Sequence, residues 1–280
     1  YVDISSNNSN PFYAKVGDTV TLAIDGSEKI EFFNTSNIIT PSSITPTISP
    51  ASGYNVGYTF SFNVANNSQL DSSMVQFDFG DTYWDQARNI GVDVSNTTNN
   101  SSVTMYTTNP TFSYVDISTN NVDDDEVANT FDIVALRFRS NHQLKPPTVT
   151  FDIANVLIEP TRVTTTSYLD TSSNWISSFM VKEQEYGQLT FEITDLEDKA
   201  GNPGPNNINT TTTGRSVTVV ASDPHMNVVE LTSNNPLDSA KAGIGKIVTL
   251  HMETDISLNS GTGIDVSFAI GNHWVNSTAD

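Results

Sequence analysis

The chain has no cysteine among its 280 residues. That excludes disulfide staples, thiolate metal sites and cysteine nucleophiles. Cations are scarce too: 12 Lys and Arg stand against 32 Asp and Glu, a formal net charge of −20. Nucleic acid and anionic membrane surfaces both need clustered Lys and Arg, so neither is expected as a partner. No apolar run is long enough to span a bilayer, so no membrane insertion of this segment is expected, and no signal or lipidation pattern is present. The chain opens on Tyr1 rather than Met, inside what is argued below to be a repeat, so a fragment or processed product is expected.

Enzyme signatures are missing as well. Gly245–Lys246 is followed by Ile247, where a phosphate loop requires Ser or Thr. His142, His225, His251 and His273 are scattered, with no H-x-x-x-H pair, and there is no G-x-S-x-G. The expectation is a non-enzyme. Hydrophobic residues reach only 36% and DEKR only 16%; Ser, Thr and Asn fill the gap. Such a chain still folds if its apolar residues alternate along strands, because a sandwich needs one apolar face per sheet.

What the sequence does contain is itself, repeated. YVDISSNN opens at Tyr1, YVDISTNN at Tyr114 and VVELTSNN at Val228, at offsets of 113 and 114. KVGDTVTL around Gly17 matches GIGKIVTL around Gly245, twice 114 away. The segments around Phe77 and Phe191 lie 114 apart, and TVTFDIA around Phe151 is similar to DVSFAIG around Phe268. A unit this long is a domain rather than a solenoid turn, for which ~20–50 residues is usual. The expected boundaries are 1–108, 109–222 and a partial third unit, 223–280, completed by further chain or by another molecule.

In the second unit, alternation predicts strands at Thr111–Ser118, Thr130–Ser140, Thr148–Ala154, Thr164–Leu169, Trp175–Lys182, Gln188–Thr194 and Ser216–Ala221. The segments between them are rich in Asn, Pro, Gly and Ser, and no helical period intrudes. About seven short strands in such a length is the count of an all-β, immunoglobulin-like sandwich, with fibronectin-like and cadherin-like topologies equally open.

The motif V-G-D-T-V-T-L near one unit's start, and F-x-I-x-D-x-x-D-x-A-G-N near another's end, resemble the tandem Ig-like repeats of large extracellular surface, adhesin and fibre proteins. Phe191, Asp195, Asp198, Ala200, Gly201 and Asn202 carry the second motif. The first unit departs from it: Arg88 stands where Gly201 is, and one residue is added near Trp84. The resemblance implies a stalk, spacer, adhesin or fibre component, in which some members bind calcium at domain junctions.

Three kinds of site follow as expectations. Asp195, Asp198 and Asn202, matched by Asp81, Asp85 and Asn89, offer the oxygens a calcium ion prefers; the alternative is a solvated turn. Strand parity puts the Asp195–Asn202 loop near the junction with the preceding unit. Sequons at Asn7, Asn34, Asn66, Asn96, Asn99, Asn100, Asn209 and Asn276 fit N-linked glycans on an extracellular or cell-surface chain. Trp84, Trp175 and Trp274 either stack on sugar or pack in the protein, and packing is favoured because their repeat positions differ. The acidic run Asp123–Glu126 reads as a solvated loop. Asp3, Asp116 and Glu230, at one repeat position, either serve a junction or face outward. The expected partners are copies of itself or neighbouring repeats, with a carbohydrate or cell-surface ligand as the alternative.

Overall fold

The computed structural model describes residues 1–35, 38–40, 44–168, 172–221, 226–254, 266–271 and 273–275. Asn276, His225 and the predicted strand end at Leu169 lie outside them. The chain falls into two compact units, Tyr1–Ala221 and Ser222–Asp280. Among the described residues there is no α-helix, and no helix long and apolar enough to cross a membrane.

The first unit holds two sandwiches with separate apolar cores. In the first sandwich the strands are β1 (Val2–Ser6), β2 (Tyr13–Lys15), β3 (Thr19–Phe32), β4 (Ile39–Thr40), β5 (Thr47–Ser49), β6 (Asn55–Asn63), β7 (Ser73–Met74), β8 (Gln76–Phe77), β9 (Tyr83–Asp85) and β10 (Thr104–Tyr106). One sheet runs β1-β3-β6-β5, with β9 added to the far end of β3. The other combines β2-β10-β7 with β8-β4. β7 and β8 are one strand interrupted at Val75, whose N–H still bonds the Val103 carbonyl at 2.9 Å.

The second sandwich repeats this plan with β11 (Phe112–Thr119), β12 (Val127–Ala128), β13 (Ile133–Ser140), β14 (Thr148–Ile153), β15 (Val156–Leu157), β16 (Thr164–Ser167), β17 (Asn174–Met180), β18 (Tyr186–Thr194) and β19 (Thr218–Val220). Its sheets run β11-β13-β17-β16 and β12-β19-β18-β14-β15, antiparallel except for the β12–β19 pair. Four strands facing a sheet built on β14, β18 and β19 is the immunoglobulin-like arrangement. The all-β tandem sandwich expected from the sequence is therefore the fold.

Alternation explains why these residues take these places. In β14, Val149, Phe151 and Ile153 are buried while their neighbours are not, and in β18 the same holds for Leu189, Phe191 and Ile193. The two strands align Val149 with Ile193, Phe151 with Phe191 and Ile153 with Leu189. Every inward side chain then meets an inward side chain, and a one-residue slip would turn all six to water. Phe151 reaches Phe179 of the facing sheet, ring centroids 5.0 Å apart. β13 lies inside its sheet between β11 and β17, and its alternation is imperfect because Ala135 is buried along with Val134, Leu136 and Phe138. Arg137 faces outward and bonds Ser118.

Among the described residues of the compact unit Ser222–Asp280 the strands are β20 (Met226–Ser233), β21 (Val248–Thr254), β22 (Phe268–Ile270) and β23 (His273–Val275). Its first hairpin keeps the ladder of the other copies. Ile4–Leu22, Ile117–Leu136 and Leu231–Leu250 are the same cross-strand pair, and so are Val2–Ile24, Val115–Phe138 and Val229–Met252. The first two copies bury these residues; in the third, Val229 and Leu231 are 63% and 60% exposed.

Candidate functional site at the inter-repeat joint

Strand direction brings two sets of loops together. The loop after β6, the end of β10 and the turn around β2 lie at the trailing end of the first sandwich. The β13–β14 and β18–β19 loops lie at the leading end of the second. Asp71, Tyr106–Thr108, Asn8 and Lys15 come from the first set. His142, Gln143 and Asp198–Asn202 come from the second.

The stretch Asp198–Asn202 closes on itself. Asp198 Oδ1 accepts the N–H of Ala200 at 3.0 Å and of Asn202 at 2.9 Å. Its Oδ2 accepts the Asn202 amide at 2.9 Å and the His142 Nδ1–H at 2.9 Å. Gly201, at φ +86°, makes the reversal. Asp85–Asn89 forms the same turn in the first sandwich: Asn89 donates its N–H to Asp85 Oδ1 at 2.9 Å and its amide to Oδ2 at 2.7 Å. Arg88 takes the left-handed position at φ 69°. Its guanidinium lies 4.0 Å over the Trp84 ring.

The two turns differ in what surrounds them. Asp85–Asn89 lies at the surface, whereas Asp198 is fully buried. The second turn is covered by the first sandwich. Asn202 donates its amide to the Tyr106 carbonyl at 3.0 Å, Lys15 Nζ bonds the Gly201 carbonyl at 2.9 Å, and the Asn8 amide bonds the Ala200 carbonyl at 2.8 Å. Tyr13 donates its hydroxyl to Gln143 Oε1 at 2.8 Å.

His142 is the centre of the joint. It is 1% exposed, and its ring stacks on Tyr106 at 4.3 Å with planes 3° apart. Nδ1 faces Asp198 of its own sandwich at 2.9 Å, and Nε2 faces Asp71 of the other at 2.8 Å. A neutral imidazole carries one N–H, so carboxylates at both ring nitrogens favour the imidazolium. Burial pulls the pKa of His142 down, but the bonds to Asp198 and Asp71 outweigh it and the net shift is upward. Burial likewise pushes Asp71 up, but the bonds from His142, Thr108 and Thr107 outweigh it and hold it below the usual carboxylate range. Burial pushes the Tyr106 hydroxyl up to about 12.

In each predicted calcium set the later Asp and the Asn are joined to one another by a hydrogen bond. Asp195 is exposed and accepts the Thr148 hydroxyl at 2.6 Å, apart from the turn. Asp81 is exposed on the turn before β9. Asp198 has committed both oxygens to N–H donors. Among the described residues no three His, Asp or Glu side chains converge as a metal site. Calcium takes about 6–8 oxygen ligands, and the residues present do not fit it. The loop itself is at the junction that strand parity assigned to it.

Asp116 lies on β11, away from the joint, and bonds Thr213 and Tyr114. Asp3 on β1 bonds Asn99, and Glu230 on β20 is exposed. Asp123–Glu126 is an exposed loop whose last two carboxylates pair with Arg215. Asn7, Asn34, Asn66, Asn96, Asn99, Asn100 and Asn209 are all exposed. Trp175 is buried, and Trp274 is 78% exposed on β23. Trp84 sits between Arg88 and Phe33, with Phe33 stacked at 4.3 Å and 45% exposed.

Asp71, Tyr106 and His142 carry no repeat signal, so sequence comparison missed them. Topology would have short-listed them, since it assigns their loops to the same joint.

Replacing Gly201 by Ala tests the turn. An added Cβ would lie 3.1 Å from Glu197 Oε1 and 3.3 Å from Lys15 Nζ, both ends of flexible side chains. The expected cost is therefore mostly that of a left-handed alanine, about 1–2 kcal/mol, read from denaturant midpoints. A neutral result would show that Gly201 is dispensable, as glycine already is at Arg88.

No protein-family model matches the sequence, and no curated protein matches it. Among solved structures the chain is similar to a pair of tandem Ig domains of titin, with 10% identity and TM-score 0.31, covering 80% of this chain and 97% of that one. It is also similar to FdeC, an Escherichia coli adhesin, with 9% identity and TM-score 0.34, covering 84% of this chain and 68% of that one.

Proposed function

We propose that the chain is a rigid spacer segment of an extracellular stalk, fibre or surface coat, built from Ig-like repeats joined end to end and carrying N-linked glycans. The observation that supports this reading is the joint. Ion pairs, a ring stack and hydrogen bonds from several loops tie one sandwich to the next, and among the described residues no buried side-chain polar atom lacks a partner. A flexible linker between independent domains would leave those groups to water. Each net hydrogen bond contributes about 1 kcal/mol, and bonds on several loops resist bending in more than one direction.

Exposed sequons fit a glycosylated surface, and sugar together with net negative charge would keep open sheet edges from pairing between molecules. Small-angle scattering of the full chain tests rigidity. The expected data fit one fixed arrangement of the first two sandwiches. Data that need a broad ensemble of angles between them would remove this reading.

A second reading, an adhesin, draws on the Phe33–Trp84–Arg88 stack at the leading end of the first sandwich, where an aromatic face stays open to solvent. Binding on a glycan array that is lost in Trp84→Ala would favour it over the spacer.

A further inference from the structure

We infer that the joint supplies its own cation: His142, gripped by Asp71 of one sandwich and Asp198 of the next, locks the two repeats in the place where a divalent ion would otherwise be needed. This rests on the spacer reading and deepens it by naming what holds the joint.

The argument begins with charge. Two carboxylates from different sandwiches face one buried ring. Without a cation between them they would repel across the joint, and their desolvation would go uncompensated. Calcium is one solution, since it draws carboxylates from both sides into one oxygen shell. An imidazolium is the other, and its two N–H groups point in opposite directions in the ring plane, one per carboxylate.

The remaining lone pairs decide between them. A carboxylate offers about four acceptor sites. Asp198 fills its sites with the N–H groups of Ala200 and Asn202, the Asn202 amide and His142. Asp71 fills its own with the N–H groups of Thr107 and Thr108, the Thr108 hydroxyl and His142. Both carboxylates are saturated by the protein. A metal would have to strip donors from each of them and expel the ring from its stack on Tyr106. The same sequence motif that resembles a calcium loop therefore works here as a holder for the histidine.

The absence of native cysteine allows a direct test. Glu28→Cys and Thr190→Cys, on exposed positions of the two sandwiches, place one spin label on each in the full chain. The distance between them is then measured with calcium and with chelator. The wild-type background is expected to give one narrow distribution, the same in both conditions. His142→Ala is expected to lose the narrow distribution in both. Asp71→Asn, on the more exposed side of the pair, should do the same while the near-ultraviolet circular dichroism of folded cores persists. Broadening of the wild-type background by chelator, or recovery of His142→Ala by calcium, would overturn the inference. So would a distribution that stays narrow in both variants. A wild-type background that is broad in every condition would instead defeat the spacer reading, which is a separate outcome.

Discussion

Asp198→Ala is expected to destabilise the second sandwich by roughly 3–5 kcal/mol, as measured by denaturant unfolding followed at Trp175 fluorescence. Two costs combine. His142 loses the partner inside its own sandwich, and Asp198 and His142 are both almost fully buried. The N–H groups of Ala200 and Asn202 lose their acceptor in a place water does not reach, at about 1–3 kcal/mol for each group left unsatisfied. The first sandwich provides the control. Asp85→Ala breaks the same turn with the same Asn89 bonds, but at the surface, where water replaces the lost acceptor. There the expected cost is about 0.5–1.5 kcal/mol. The turn's hydrogen bonds are shared by the two sites, so burial and the His142 pair together should set the ratio. Equal costs at Asp85 and Asp198 would mean that the joint contributes nothing to the second turn.

Much of this architecture could be read from spacing. The three YVDIS-like strings recur at offsets of 113 and 114, and each becomes the first strand of a copy with an identical cross-strand ladder. A register shared by three copies is what duplicated domains require. β14 and β18 were equally legible, because strict alternation leaves only one way to point three apolar side chains at a core.

The first sandwich was harder to read. β3 runs on to Phe32, and its extension pairs with β9 over three residues where the second sandwich keeps only the single bridge Leu144–Asp198. The joint was half legible. Strand parity placed the Asp195–Asn202 loop correctly, but a carboxylate that accepts N–H groups and one that ligates a metal look alike in sequence. The difference lies in the neighbours, and these come from loops far apart in the chain: Asp71, His142 and Asp198. His142 has no counterpart to compare with, so it read as a scattered histidine. Arg88 in place of Gly201 was the one visible sign that the two turns had been put to different uses.

The joint should also be tightest in a middle range of pH, bounded by two different groups. His142 has a pKa raised above its ordinary value of 6.5. What its protonation contributes is fully present below that value and is lost as pH rises through the higher folded value. Asp71 has a pKa lowered from 3.8. What its ionisation contributes is present above that value and is lost as pH falls through the lower folded one. Tyr106, pushed up to about 12, stays neutral across this range, so the stack itself does not titrate. With the spin-label pair described above, the distance distribution is expected to be narrow from mildly acidic to near-neutral conditions. It should broaden on the alkaline side as the imidazolium loses a proton, because Asp71 or Asp198 then faces a bare ring nitrogen. It should broaden again in strong acid as Asp71 takes up a proton. The two limbs can be separated. His142→Gln removes the titrating ring, so its alkaline limb should be flat. Asp71→Asn, already broad at neutral pH, should show no further broadening in acid. An alkaline limb that survives in His142→Gln would assign the loosening to some other group and leave the joint without its proposed cation.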